Sequence, residues 1–354
     1  MSIQTEPIGS IPRPAELLRA IGDFESGHID SAALKAAYDH ALSDTIARFE
    51  ATGSPVITDG EQSKPSFATY PLAGLRNLAP DGVVIPFADE HTRQLPRLTA
   101  GPFCYATHAE KYLRAAKART TKPLKQAVIS ASAMSLIYPQ DGLPDYPREQ
   151  FLADLADETE ADIRGALDAG AAVVQIDFTE ARLSLKLDPS GGLLRSFIAL
   201  NNLVLDRFDG EQRARIGVHV CPGGDRDSTH SADVDYALLL PDLFQLHAGR
   251  FYLQMASEAD PKRVLQIVRE QAAAGQLIFV GVIDPIDPRL ETPELVRDRV
   301  LLAAAAIPIE RLGTTDDCGF APFADDMSTG RDLAFAKIKA RVLGTELAGK
   351  ELGL

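Results

Sequence analysis

The stretch Ala172-Val173-Val174-Gln175-Ile176-Asp177 is a short run of mainly β-branched residues that ends in a carboxylate. A run of this length and composition is typical of a strand that is buried on both faces of a sheet. The stretch Ile216-Gly217-Val218-His219-Val220-Cys221 has the same form, and it also ends in side chains that can do chemistry. Both stretches therefore predict buried strands with reactive residues at their carboxyl ends.

Similar runs recur along the chain and alternate with longer segments of helical character. The other runs lie at residues 56–61, 127–130, 251–255, 278–284 and 311–315, and Ile8-Gly9-Ser10 would supply an eighth strand. Residues 150–170, 260–275 and 293–306 carry apolar residues at three- and four-residue spacing, as amphipathic helices do. This alternation implies parallel strands with right-handed crossovers. We therefore predict an α/β fold, a single closed (β/α)₈ TIM barrel. The lack of a phosphate-binding glycine fingerprint argues against an open sheet.

Residues 62–123 are the least regular part of the sequence and are rich in proline. We interpret them as an elaborated excursion after the second strand, with a small hairpin, rather than as a separate domain. Residues 184–210 are predicted to be helical, with a loop at 188–192. We expect residues 1–354 to form one catalytic barrel domain.

Composition excludes several classes of function. The 354 residues include 50 acidic and 36 basic side chains, and no run of Lys and Arg is present, so a nucleic-acid surface is not expected. The acidic balance disfavours anionic membranes, and no window of 18 apolar residues predicts a membrane span. The first residues lack a signal peptide, and three cysteines do not suggest a disulfide framework, so we expect a cytoplasmic location. Assembly into a homo-oligomer is compatible with this composition.

Three residues at predicted strand ends form a candidate metal site. His219 and Cys221 are two positions apart, so both side chains project to the same side of an extended strand. Cys318 follows the last predicted strand, at the same rim of the barrel. Two thiolates and one imidazole suit a single Zn²⁺ and leave a fourth position open for a substrate thiol. The alternative is ordinary packing, which is the usual role of a lone H-x-C pair and the role we expect for Cys104.

Polar residues end the other predicted strands. Glu61 and Asp177 can bind a substrate ammonium group, or they can cap helices or pair with arginine. Asp284 lies in Asp-Pro-Ile-Asp-Pro, where turn formation is an equal explanation. We expect His230 and His247 to be surface or helix residues rather than metal ligands.

The motifs together carry a resemblance to a known family. They are Ile8-Gly9-Ser10-Ile11-Pro12-Arg13, Asp59-Gly60-Glu61, Gln175-Ile176-Asp177, His219-Val220-Cys221 and Asp317-Cys318-Gly319. In this order, and over residues 6–345, they resemble the catalytic, C-terminal half of cobalamin-independent methionine synthase. The resemblance implies that His219, Cys221 and Cys318 bind zinc, with Ile8, Gly9 and Ser10 contacting the amino-acid substrate and Glu61 and Asp177 binding its amino group. It also implies methyl transfer from a methyltetrahydropteroyl-glutamate donor to the zinc-bound thiolate of homocysteine.

Two departures from the family pattern leave the reaction open. Gln254 stands where the family has a glutamate that binds resting zinc, and Ile286 stands where it has a histidine that helps to protonate the leaving group. Asp284 remains as the candidate acid, and Gln254 as a substrate-binding residue. The runner-up is thiol addition to an epoxide, because epoxyalkane:coenzyme M transferase is similar in its zinc site but needs no such histidine. A metal-free barrel of the uroporphyrinogen decarboxylase type and a non-catalytic protein that zinc only stabilises are also compatible with the sequence.

Overall fold

Seven strands form one parallel sheet in a computed structural model of the chain, which describes residues 2–354. The strands of the described residues are β1 (Gln4–Thr5), β2 (Leu78–Ala79), β3 (Val84–Pro86), β4 (Thr92–Gln94), β5 (Arg97–Leu98), β6 (Lys125–Ile129), β7 (Val173–Asp177), β8 (Ile216–Val220), β9 (Gly224–Asp225), β10 (Ser228–Thr229), β11 (Arg250–Leu253), β12 (Leu277–Ile283) and β13 (Leu312–Asp316). The parallel sheet has the order β1-β13-β12-β11-β8-β7-β6, so the first strand pairs with the last. The predicted α/β class and parallel pairing are confirmed.

Helices follow most strands of the sheet. They are α1 (Ala15–Glu25), α2 (Ser31–Ala51), α3 (Glu110–Lys117), α4 (Ala131–Met134), α5 (Arg148–Asp168), α6 (Glu180–Leu187), α7 (Gly192–Leu205), α8 (Gly210–Arg213), α9 (Tyr236–Leu243), α10 (Pro261–Gln271), α11 (Pro293–Ala304) and α12 (Arg331–Glu351), with 3₁₀ turns at Tyr70–Leu72, Ser135–Ile137 and Ile309–Arg311. The helices predicted at 150–170, 260–275, 293–306 and either side of the 188–192 loop are therefore confirmed, with ends that differ by a few residues. The starts of α10 and α11 have a local cause, since the side chains of Asp260 and Thr292 each accept a backbone N–H and a proline follows.

The first predicted strand was placed wrongly. The strand is Gln4–Thr5, which pairs with Gly313 and Thr314, and Ile8-Gly9-Ser10 lies beyond its end. Gly9 has a φ of 146°, and the N–H of Ile8 donates to the carboxylate of Asp316 instead of to a strand. The backbone therefore leaves the sheet just before these three residues.

The second predicted strand, 56–61, is reduced to a single bridge. Ile57 pairs in parallel with Leu124 beside β6, through hydrogen bonds of 3.0 Å to Pro123 O and 2.9 Å from Lys125 N. Gly60 and Glu61 have φ values of 66° and 56°, which end the extended conformation. On its other side the segment contacts the chain after β1, where Thr58 Oγ1 donates to Gly9 O at 2.7 Å. Residues 57–60 thus contact both the start of β6 and the segment that follows β1.

An antiparallel hairpin occupies the middle of the irregular region and is longer than the small hairpin that the sequence predicts. In it, β2 pairs with β5 and β3 pairs with β4. Its tip lies on the short β9–β10 hairpin, because Ala88 N donates to Thr229 O at 3.0 Å. Arg93 on β4 donates twice to the buried carboxylate of Asp225 on β9. This hairpin therefore covers the loop that follows β8.

Two surface properties complete the fold. Cys104 is exposed, so the prediction that it serves packing was wrong. Within residues 2–354, no helix combines the length and the apolar character that a membrane span requires.

Candidate active site

His219, Cys221 and Cys318 converge at one end of the sheet. His219 belongs to β8, Cys221 directly follows it, and Cys318 lies two residues beyond β13. One ligand atom of each residue lies within 4.8 Å of those of the other two, and the two sulfur atoms are 3.3 Å apart. Residues separated by 97 positions in the chain thus form one compact group of potential metal ligands.

The chemistry of this group fits a soft divalent cation. Both ring nitrogens of His219 are buried, and neither has a hydrogen-bond partner. The hydrogen bond with Cys221, together with burial, raises the pKa of Cys318 well above its usual range. Two adjacent thiols can both ionise only if a cation balances them. A set of two sulfurs and one nitrogen is a set that zinc binds in proteins.

Asp317 fixes the position of Cys318. Its carboxylate accepts hydrogen bonds of 2.8–2.9 Å from the backbone N–H groups of Met255, Ala256 and Ser257, and a fourth from the Ser257 hydroxyl. These bonds tie the segment after β13 to the segment after β11. The buried carboxylate of Asp317 therefore anchors the loop that carries Cys318.

A cleft of about 600 Å³, counting its open mouth, lies beside the three ligands, and we call it the central cleft. Its lining includes the predicted site residues Ile8, Ser10, Glu61, Asp177, His219 and Cys318. Gly9 is the exception among the three N-terminal residues, because it is not part of the lining and its carbonyl accepts from Thr58. The predicted substrate-binding carboxylates and the sulfur ligand therefore share one cavity.

Glu61 is held in an unusual conformation next to a buried cation. Its φ of 56° is rare for a non-glycine residue, and such strain concentrates at functional sites. Lys64 Nζ donates to Glu61 Oε1 at 2.9 Å and to Ala127 O at 2.9 Å, and Lys64 is fully buried. Although burial opposes it, the attraction of Glu61 and Asp59 raises the pKa of Lys64 to about 12. Lys64 was missed by the sequence analysis, because its proximity to Glu61 depends on the left-handed turn.

Asp177 is linked to the N-terminal segment by Gln175. Gln175 Nε2 donates to Asp177 Oδ1 at 2.7 Å and to Ile8 O at 3.2 Å, while Gln175 Oε1 has no partner and Gln175 lines the cleft. Burial raises the pKa of Asp177 to about 6. The motif Gln175-Ile176-Asp177 contains this glutamine, but the sequence predicted no role for it. Gln175 is thus, after Lys64, a second site residue that only the structure reveals.

Arg13 holds three segments of the site together. It is buried and donates to Glu61 O at 2.7 Å, to Lys64 O at 2.8 Å and to Phe323 O at 3.2 Å. Close packing beside it requires glycine, because a Cβ at Gly319 would lie 2.1 Å from Ser10 Oγ. The N-terminal segment therefore fits directly against the residue after Cys318.

Asp284, Ile286 and Gln254 lie in a different cavity. This side pocket, of about 440 Å³, adjoins the central cleft, because Gly224, Cys318, Gly319 and Pro322 line both spaces. The amide oxygen of Gln254 accepts from Arg182 at 2.8 Å, and Arg182 also pairs with Glu258 at 3.3 Å. The amide oxygen of Gln254 therefore has an arginine as its hydrogen-bond partner.

His230 is buried, so the prediction of a surface or helix position was wrong. It follows β10, lines the central cleft and packs edge-on against Phe87. Burial is the main cause that lowers the pKa of His230 to about 4, so its ring is neutral at pH 7. His247 is exposed and pairs with Asp206, as a surface residue was expected to do.

The sequence of the chain matches a known protein family over most of its length. The sequence model of the family described as cobalamin-independent synthase, catalytic domain, matches residues 3–329. The chain belongs to this family. Its relatives include the methionine synthase of Sulfurisphaera tokodaii, which is 23% identical over 99% of this chain and 94% of that protein.

A second relative is longer than this chain. The 5-methyltetrahydropteroyltriglutamate–homocysteine methyltransferase of Streptomyces coelicolor is 26% identical over 90% of this chain, but the match covers 39% of that protein. The chain thus spans about two-fifths of the length of this relative. Among solved structures, a B12-independent methionine synthase from Shewanella sp. W3-18-1, in complex with selenomethionine, superposes with a TM-score of 0.76 at 19% identity, over 99% of each chain. The cobalamin-independent synthase fold is therefore shared.

Proposed function

We propose that this chain transfers a methyl group from a methyltetrahydropteroyl-glutamate-type donor to homocysteine, with one Zn²⁺ per chain activating the thiol. The observation that supports this most directly is the group His219, Cys221 and Cys318 at the wall of a cleft that also contains two buried carboxylates. Family membership and the name of the Streptomyces relative favour the same reaction. Both substrates are small molecules, and the acidic chain offers no basic run for nucleic acid.

Each residue of the cleft has a proposed task. Zinc held by the three ligands would keep the sulfur of homocysteine ionised at neutral pH. Glu61 and Asp177 would bind the ammonium group of the substrate. Ile8 and Ser10, which line the cleft, would contact the rest of the amino acid, and Gly9 would set the path of the chain between them. Lys64 orients Glu61, since it donates directly to one carboxylate oxygen. Alignment of the sulfur with the methyl group supplies much of the rate enhancement in such a displacement.

Asp284 is the proposed acid, and Gln254 has a supporting role. Asp284 lines the side pocket beside Ile286, and this pocket adjoins the central cleft at Cys318 and Gly319. General acid help is typically worth about 10²–10⁴-fold in rate, which is the effect expected for Asp284→Asn on kcat. Gln254 would remain bound to Arg182 and leave the fourth zinc position to water or substrate.

We also propose that residues 57–60 serve as the second strand and complete a closed, eight-stranded (β/α)₈ barrel. Residues 62–123 would then be the excursion that follows this strand. The contacts of Ile57 with Leu124 and of Thr58 with Gly9 support closure at this point. We treat 1–354 as one catalytic domain. Three free cysteines favour a reducing compartment such as the cytoplasm.

The test combines metal analysis with turnover. The purified chain should contain about one zinc, homocysteine should add one sulfur to the zinc shell in X-ray absorption, and labelled methyl donor should give labelled methionine. Full activity in zinc-free protein would refute the proposal in favour of a metal-free barrel. An unchanged sulfur number would show that zinc is only structural, and turnover of an epoxide instead of the methyl donor would favour the runner-up reaction.

A further inference from the structure

The strand end that carries Asp284 lies next to the strand end that carries Cys318. The N–H of Asp317 donates to Ile283 O at 2.8 Å, and Asp284 and Cys318 are the next residues along the two segments. Both residues line the side pocket, which adjoins the central cleft. The position of the Asp284 carboxyl group relative to the metal ligand therefore depends on how firmly the backbone is held at this strand end.

A buried ion pair holds both polar groups of the Asp284 backbone. The N–H of Asp284 donates to Glu291 Oε1 at 2.9 Å, and its carbonyl oxygen accepts from Lys337 Nζ at 2.8 Å. Lys337 Nζ also donates to Glu291 Oε2 at 2.8 Å, and the exposures of the two side chains are 0% and 5%. Because β12 ends at Ile283, two charged side chains here replace the hydrogen bonds that a neighbouring strand would supply.

Two further contacts fix the first residues of the loop after β12. Asp284 Oδ1 accepts from the N–H of Ile286 at 3.0 Å, which restricts the rotation of the carboxyl group. Thr329 Oγ1 donates to Pro285 O at 3.2 Å. In contrast, residues 288–290 are exposed. The most firmly held part of this loop is therefore the part that carries the carboxyl group.

The Glu291–Lys337 pair is a poor device for stability alone. Removal of two charges from water costs much of the free energy that their attraction returns, and apolar side chains of similar size can often replace such a pair. What apolar side chains cannot do is form directed hydrogen bonds to a peptide N–H and a peptide oxygen. The specific contribution of the pair is therefore the fixed geometry of Asp284.

We propose that Glu291 and Lys337 position Asp284 for proton transfer during methyl transfer. As the bond between sulfur and the methyl group forms, the bond between the methyl group and the donor nitrogen breaks. The nitrogen keeps the electron pair and takes the proton of the Asp284 carboxyl group, which solvent water later restores. Neither Glu291 nor Lys337 lines the cleft or the side pocket, so both are positioning residues. This inference rests on the proposed function.

Glu291→Gln is the matched substitution that tests this positioning. The two donors approach different oxygens of Glu291, and glutamine has one oxygen, so it keeps the bond with Asp284 or with Lys337 but not both. A displacement of about 1 Å at a reacting group can cost about 10²-fold in rate, so kcat should fall about 10- to 100-fold. Zinc content and the KM for homocysteine should stay within about twofold. Glu294→Gln, the same change at an exposed position on α11, should alter none of these values.

Lys337→Met tests the other half of the pair. It removes the bond to the carbonyl oxygen of Asp284 and should lower kcat by a similar factor, with circular dichroism to show that the variant is folded. Lys339→Met, at an exposed position on the same helix α12, is its control. If Lys337→Met does not fold, Glu291→Gln alone decides, because it keeps the size of the side chain.

A cycle with Asp284→Asn separates positioning from general support of the fold. If Glu291 acts through Asp284, Glu291→Gln should lower kcat by less than about twofold once residue 284 is asparagine. The inference is overturned if kcat falls equally in both backgrounds, or if Glu291→Gln alone leaves kcat unchanged. An unchanged kcat in Asp284→Asn would remove the acid and the inference together. A wild type that binds homocysteine but transfers no methyl group would refute the proposed function itself.

Discussion

Replacement of the buried cation in the cleft, Lys64→Met, should destabilise the folded chain strongly. Lys64 Nζ and Glu61 Oε1 are 2.9 Å apart, with side-chain exposures of 0% and 5%. At an effective dielectric constant of about 20, this distance corresponds to an attraction of about 6 kcal/mol, part of which offsets desolvation. Removal of one partner leaves a buried carboxylate uncompensated, so we expect the free energy of unfolding to fall by about 3–5 kcal/mol.

A double-mutant cycle with Glu61→Gln separates the ion pair from general packing. The double variant should be more stable than the sum of the single losses predicts, with a coupling of about 2 kcal/mol, because neither charge is then left alone. The chain has no tryptophan, so urea unfolding is best followed by circular dichroism. Lys35→Met is the control, since Lys35 pairs with Asp39 while 75% exposed and should change stability by less than about 1 kcal/mol. A Lys64→Met loss below about 1 kcal/mol, or strict additivity, would refute this reasoning.

The remaining predictions concern the metal and pH. Cys318→Ser should weaken zinc binding by roughly 100-fold or more, as competition with a chelator would measure, because oxygen replaces a soft ligand; unchanged affinity would contradict the assigned site. Gln254→Glu should tighten resting zinc, but by less than about tenfold, since Arg182 holds the new carboxylate; an unaltered affinity would show that residue 254 lies outside the metal's reach. Burial raises the pKa of Glu180 to about 7 from 4.5, so the folded state retains this proton more tightly and the contribution of Glu180 to the free energy of unfolding falls as pH rises between these values. Stability of the wild type minus that of Glu180→Gln should therefore drop by about 3 kcal/mol from about pH 4.5 to about pH 8 in urea titrations, and a flat difference would mean that the carboxyl ionises normally.

Local patterns predicted the central elements well. The run at 172–177 became β7 and the run at 216–221 became β8, because buried parallel strands need continuous β-branched residues. The i, i+2 spacing of His219 and Cys221 placed both side chains on one side, as strand geometry requires. Patterns failed where the backbone leaves regular structure, as at Ile8-Gly9-Ser10 and at Glu61, whose left-handed φ has no signal in the residue type.

The sequence alone determined the strand and helix alternation, the acidic character of the chain and the choice of three candidate metal ligands, since each of these follows from short-range periodicity, composition or a short motif. Only the tertiary structure decided that Lys64 neutralises Glu61, that Arg182 engages Gln254, and that the buried His230 shares a recess with Glu180. These partners depend on the path of the turns and on contacts between elements far apart in the chain. Their energies come from burial and from distances of about 3 Å, which exist only after the chain has folded.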